Sequence, residues 1–207
     1  MKFIKRQVVG ISGLYRVIST KGETSLSLGY FLEKNASTLG DYPAILFEDR
    51  KITYGELNTF ANRCASLFMS RGFRKGDIVA LLMDNRPEYL MIHAGLVKAG
   101  LVPALVNTHI KGRILAHALN ISGARGIIVG HEFMDAYLEI SDEITLPKPL
   151  QVFIDREGLK MDITEGIDDL EEMMNSQPGE NPLLPEPVRS FDILEYIYTS
   201  GTTGMPK

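Results

Sequence analysis

The chain has little that would cross-link it or hold it in a bilayer. One of its 207 residues is cysteine, Cys64, so no internal disulfide can form. Cys64 falls among Ala61, Ala65, Leu67 and Phe68, an apolar-periodic stretch in which a buried, unreactive thiol is expected. A reducing, cytoplasmic setting suits such a chain. No run of about 18 uncharged apolar residues occurs, which argues against a spanning helix. Positive charge is short as well: 22 Lys and Arg against 26 Asp and Glu leave a net charge of -4. That is the wrong sign for a general grip on nucleic acid, and no such partner is expected. There are four histidines, His93, His109, His117 and His131, none at a metal-ligand spacing, and no metal is assigned to them. Apolar residues, by contrast, make up 44% of the chain and charged ones 23%, enough for one ordinary domain with a buried core.

Residues 1–25 stand apart from that domain. The first 22 carry Lys2, Lys5, Arg6, Arg16 and Lys21 with no acid, set between Phe3, Ile4, Val8, Val9, Ile11, Leu14, Val17 and Ile18. Gly10, Ser12 and Gly13 break the apolar middle, and a small-residue cleavage site is missing, so a secretion signal is not expected. Two placements remain open for this basic, amphipathic start. It makes peripheral contact with an anionic membrane surface, or it packs as a helix on the domain's own core.

From residue 26 onward the pattern alternates. A helix over Leu26 to Leu39 leads to a short strand, Pro43 to Phe47, and a polar turn, Glu48 to Lys51. Thr53 with Glu56 three residues later forms a capping box for the next helix, which Gly72 stops. Ile78 to Met83 reads as a strand, Asp84 to Pro87 opens a helix through Val97, and Gly100 ends it. Leu101 to Val106 is a second strand, and Asn107-Thr108 is expected to cap a helix from Lys111 to Ile121. Gly123 stops that helix, and Ala124 to Val129 is a third strand. Continuous apolar strands joined by helices of this length specify an α/β fold: a layered, mostly parallel sheet with flanking helices. Gln151 to Asp155 adds a strand and Gly166 to Met174 a short acidic helix, whose Asp168, Asp169, Glu171 and Glu172 read as a solvated face. Prolines crowd a loop at 176–190, after which Phe191 to Tyr198 reads as a last strand, with Ile193, Ile197 and Tyr196 facing apolar neighbours.

That strand runs into Thr199-Ser200-Gly201-Thr202-Thr203-Gly204-Met205-Pro206-Lys207, in which four hydroxyls and two glycines are followed by a cation. Glycines let backbone N–H groups approach an anion, hydroxyls donate to phosphate oxygens, and lysine adds compact positive charge. The spacing is not that of the Walker loop, because two residues separate the glycines and Pro206 precedes the lysine. In an open α/β sheet, ligands gather beyond the carboxyl ends of the strands, where this loop would lie. Asn107, Thr108 and His109 end a neighbouring strand and either border the same pocket or serve as caps.

The string YIYTSGTTGMPK, Tyr196 to Lys207, resembles the phosphate-binding loop of the adenylate-forming superfamily, the AMP-binding enzymes. The blocks ITYGEL, GDIVALLMDNRPEYL, GLVKAGLVPALVNT and SGARGIIVG are similar to that family's N-terminal domain, so the resemblance covers most of 26–207. DNRPEY together with ALVNTHIKGRILAHALNISGA resembles the fatty-acid-transport-protein and very-long-chain acyl-CoA synthetase branch.

The resemblance implies an ATP-dependent acyl-CoA ligase working in two half-reactions. A fatty acid carboxylate attacks the α-phosphate of ATP, with Mg2+ assisting, to give acyl-AMP; coenzyme A then displaces AMP. It also implies that Thr199, Ser200, Thr202 and Thr203 donate to the β- and γ-phosphates, that Gly201 and Gly204 permit close approach, and that Lys207 neutralises charge. Tyr196, Ile197, Tyr198, Met205 and Pro206 complete the motif. Catalytic groups are expected beyond residue 207, so the chain is read as an N-terminal fragment, inactive by itself. Two alternatives stay open: a membrane-associated fatty-acid uptake protein, and a fragment that binds nucleotide weakly.

Overall fold

A computed structural model describes residues 26–198. The basic start, residues 1–25, and the Ser/Thr/Gly-rich residues 199–207 lie outside the described residues. Helix α1 (Leu28–Leu39) begins at Ser27, whose Oγ accepts from the Tyr30 amide at 3.2 Å. Strands β1 (Pro43–Phe47) and β2 (Arg50–Thr53) form an antiparallel ribbon. The polar turn foreseen over four residues narrows to Glu48 and Asp49, because Arg50 and Lys51 pair with Phe47 and Leu46 as part of β2. Helix α2 (Tyr54–Ser70) opens with the expected capping box. The Thr53 amide donates to Glu56 Oε2 at 2.8 Å, and the Glu56 amide donates to Thr53 Oγ1 at 3.2 Å.

The remaining elements are β3 (Ile78–Leu82), α3 (Pro87–Lys98), β4 (Val102–Leu105), α4 (Gly112–Ile121) and β5 (Gly126–Gly130). They continue with α5 (Met134–Ile140), β6 (Gln151–Asp155), β7 (Asp168–Asp169), α6 (Leu170–Asn175) and β8 (Tyr196–Ile197). Six strands make one sheet in the order β7-β6-β5-β3-β4-β8, and every pairing in it is parallel. Strand β5 lies on the opposite side of β3 from β4, so the winding reverses there and helices must cover both faces. On one face Phe68, Ile92, Leu96 and Leu170 of α2, α3 and α6 meet Val79, Leu81, Ile128 and Phe153. On the other, Leu115, Leu119, Met134 and Tyr137 of α4 and α5 meet Ala80, Leu82, Ile127 and Ile154. Alternate strand residues serve opposite faces, the period-2 geometry that makes these strands read as unbroken apolar runs.

Three local expectations change. Asn107 and Thr108 do not cap α4, whose N-cap is Lys111 without a side-chain bond; Asn107 Oδ1 instead accepts from the His109 amide at 2.9 Å and closes its own turn. The helix expected over Gly166 to Met174 is split into β7 and α6. Asp169 caps α6 through the Glu172 amide at 3.1 Å and is buried, so that part of the acidic cluster is no solvated face. The last strand shortens to Tyr196–Ile197, because Asp192 folds back on Arg189: the Arg189 amide donates to Asp192 Oδ2 at 2.7 Å. Ile193, Tyr196 and Ile197 are exposed rather than packed.

Helices α2 and α3 pack closely. A Cβ on Gly95 would lie 2.5 Å from Cys64 Cβ and 2.7 Å from its Sγ, so only glycine lets the two helices approach this far. Burial pushes the Cys64 thiol pKa up, which removes the reactive thiolate. The mutation Gly95→Ala is expected to destabilise the fold by about 1–3 kcal/mol in urea unfolding, as overpacking does. Cys64 in the wild type should react with an aromatic disulfide reagent only as fast as the chain unfolds, and reaction on mixing would contradict the burial.

Candidate functional site at the carboxyl edge of the sheet

Because all six strands are parallel, their carboxyl ends share one edge of the sheet. Strand β8 joins that edge beside β4, with Tyr196 opposite Ala104 and Ile197 opposite Leu105. Continuing the register sets Tyr198, the last described residue, beside Val106. Tyr198 is half-buried against the α4 and α5 side of the core, and desolvation pushes its hydroxyl pKa up. A cleft of ≈ 550 Å³ runs between α4 and β8, lined by His117, Ile121, Ser122 and the three residues Tyr196, Ile197 and Tyr198. Of the candidate binding residues, the structure therefore places the Tyr196-Ile197-Tyr198 stalk. Thr199, Ser200, Gly201, Thr202, Thr203, Gly204, Met205, Pro206 and Lys207 lie outside the described residues. Asn107 and His109 stand at the same edge but are exposed and bonded to each other, His109 Nδ1 lying 3.3 Å from Asn107 Oδ1.

Beside the winding reversal, the ends of β3, β5 and β6 enclose a charge cluster that the sequence did not reveal. Arg86 is buried just before α3, and its Nη2 lies 2.5 Å from Asp155 Oδ2 and 3.5 Å from Glu132 Oε2. Its Nη1 lies 3.3 Å from Glu88 Oε2, and Glu88 also pairs with Arg50 of β2. Glu132 in turn accepts from the Asp84 amide at 2.8 Å, tying the β3 end to the β5 end. Local sequence explains one part: Pro87 opens α3 and keeps Arg86 extended. Nothing local relates Arg86 to Glu132 or Asp155, which arrive from strands paired only in three dimensions.

Burial works against the charge on Arg86, but Asp155 and Glu132 beside it hold its pKa above the ordinary value. Asp155 is 1% exposed, and burial outweighs the Arg86 charge, so its pKa is pushed up to about 6. Burial also acts on Glu88, yet the Arg50 hydrogen bond keeps its pKa below the usual carboxylate value. Among the described residues no group of three or more His, Cys, Asp or Glu is suited to a metal ion. The cluster is accordingly a brace between strand ends, with two guanidinium groups interleaved among carboxylates.

A carboxyl whose pKa is higher folded than unfolded stabilises the fold most below its unfolded value, near 3.8, and loses that contribution as pH rises through about 6. The mutation Asp155→Asn removes the titration. The unfolding free energy of wild type minus that of Asp155→Asn should therefore fall by roughly 2–3 kcal/mol between about pH 4 and pH 6 and level off above. Urea titrations at several pH values measure it, and parallel pH profiles would contradict the assignment.

Comparison with known proteins agrees with this architecture. Residues 32–207 match the family model described as AMP-binding enzyme. The chain is 38% identical over 156 residues to long-chain fatty acid transport protein 1 of Rattus norvegicus, covering 75% of this chain and 24% of that protein. It is 28% identical over 197 residues to medium/long-chain-fatty-acid–CoA ligase FadD6 of Mycobacterium tuberculosis, covering 95% of this chain and 31% of that one. The structure superposes on the anthranilate CoA ligase AuaEII, solved with anthranoyl-AMP, with a TM-score of 0.77 and 25% identity over 91% of this chain and 34% of the other. The chain thus spans about a quarter to a third of the length of the proteins it matches. With a doubly covered parallel sheet and a family match over residues 32–207, the chain belongs to the AMP-binding enzyme family.

Proposed function

We propose that residues 1–207 are the N-terminal part of an ATP-dependent acyl-CoA ligase that activates a long- or very-long-chain fatty acid through acyl-AMP. The observation that carries this reading is the parallel seat of β8 beside β4, which brings Tyr196 and Ile197, just before the Ser/Thr/Gly/Lys string in sequence, to the ligand-binding edge of the sheet. The donor set fits a polyphosphate: hydroxyls of Thr199, Ser200, Thr202 and Thr203 donate to phosphate oxygens, and Lys207 balances their charge. ATP enters as its magnesium complex, and coenzyme A is the acceptor in the second half-reaction. Gly201 and Gly204 leave room for main-chain N–H groups to turn toward the phosphates. These residues hold and screen the nucleotide; the groups that position the carboxylate and the adenosine belong to the remaining two-thirds to three-quarters of the matched proteins' length. Residues 26–207 are then part of a nucleotide-binding domain, and 1–25 a separate basic segment.

One observation supports fatty acids as the substrate class: both sequence relatives named above carry fatty acids in their printed names. The transport protein's name favours a different reading, fatty-acid uptake at a membrane with nucleotide binding secondary. Among the described residues no helix is long and apolar enough to cross a membrane. Peripheral contact through the basic residues 1–22, on the cytoplasmic face, suits both readings.

The deciding experiment is fatty-acid-dependent ATP–pyrophosphate exchange, measured on the protein carried through its full reading frame. Exchange is expected there and absent from residues 1–207 alone. Lys207→Ala should lower it about 10–100-fold, the loss of one charged phosphate contact. Uptake without exchange would establish the transport reading instead. For the membrane contact, deleting residues 1–22 should abolish co-sedimentation with vesicles of phosphatidylserine; undiminished co-sedimentation would place the contact elsewhere.

A further inference from the structure

Strand β8 is two residues long, too short for its two-residue pairing with β4 to hold it in place. What precedes it is irregular chain, so its seat depends on side chains. One lies immediately before the strand: Glu195 Oε2 is 2.7 Å from Nε2 of His93, on α3. Both side chains are largely covered, His93 to 13% exposure and Glu195 to 25%. Tyr89, one helical turn before His93, is half-buried in the same corner, and burial together with the Glu195 charge pushes its hydroxyl pKa up. Farther back, Lys75 Nζ holds Asp192 at 2.7 Å and the Pro187 carbonyl at 2.9 Å. The His93–Glu195 bond is the last of these ties before the strand, and it joins residues 102 apart in sequence.

We propose that His93 is a positioning residue for the phosphate-binding residues 199–207: through its hydrogen bond to Glu195 it sets the register and direction in which β8 leaves the sheet. The inference rests on the ligase reading, since only a phosphate-binding role gives that direction a chemical consequence. His93 faces Glu195 at the base of β8. Its effect on binding is indirect, through the ordering of β8 before nucleotide arrives. A net hydrogen bond corresponds to a change of roughly fivefold in an equilibrium constant, which sets the size of effect expected.

The test uses the full protein and the variants His93→Ala, Glu195→Ala, the double variant and His93→Gln, whose amide can still donate to Glu195. Hydrogen exchange of the 193–198 peptide reads the seat of β8, and MgATP affinity reads its consequence. Expected are faster exchange and roughly fivefold weaker MgATP binding in both alanine variants, no further loss in the double, and return toward wild type in His93→Gln. A merely structural role would give the same rescue and non-additivity in hydrogen exchange but leave MgATP affinity unchanged. Unchanged exchange in either alanine variant overturns the proposal, and so does unchanged MgATP affinity where Lys207→Ala loses binding. Wild-type protein that binds no MgATP would overturn the ligase reading itself and the positioning role with it. The two failures are therefore distinct.

Discussion

The parallel pairing of β3 with both β4 and β5 is the constraint on which the remaining architecture depends. Val79, Leu81, Ala80 and Leu82 are fully buried, so β3 is covered on both faces as well as bonded along both edges. Parallel neighbours cannot be joined by a hairpin and need a crossover connection, which carries a helix between β3 and β4 and between β4 and β5. Because β4 lies on one side of β3 and β5 on the other, successive crossovers go to opposite faces. Helix α3 covers one and α4 the other. The carboxyl ends then gather along a single edge, and the reversal leaves a gap between them.

At that gap the chain places charge, not hydrocarbon. Arg86 bridges Asp155 at the end of β6, Glu132 just after β5 and Glu88 in α3, so the strand ends are cross-braced at their carboxyl side by ionic contacts. Removing a single member of such a buried set is costly, because it strands the opposite charge in a low dielectric. The brace and the β8 stalk occupy opposite sides of β3 and β4 along the same edge. The first stiffens the sheet; the second is held by isolated ties to α3 and to the loop before it.

Much of this was legible in the text of the chain. Strands buried on both faces appear as uninterrupted apolar runs, and the capping box at Thr53 and Glu56 marks a helix start by local chemistry alone. What escaped is non-local. Asp169 looks like one acid among several, yet burial and the Glu172 amide make it a cap. Asn107 has the right chemistry for a helix cap and spends it on His109. His93 and Glu195 carry no mark of each other in sequence, and neither do Arg86 and Asp155.

The proline-rich stretch 176–190 behaves as a strap fastened at both ends. Near its start the Gly179 carbonyl accepts from Asn62 at 2.7 Å, and Asn181 is held by Asn58 at 3.0 Å and by the buried Lys98 at 2.9 Å. Near its end Pro187 is held by Lys75. Between these fastenings Leu183 stands 96% exposed. Segments secured at each side and free at the crest absorb added length without disturbing what they connect. Extra residues at Leu183 would bulge outward into solvent while both anchor points kept their spacing. The crest of the strap is thus a place where the chain can be lengthened, or joined to another protein, without moving the sheet beneath it.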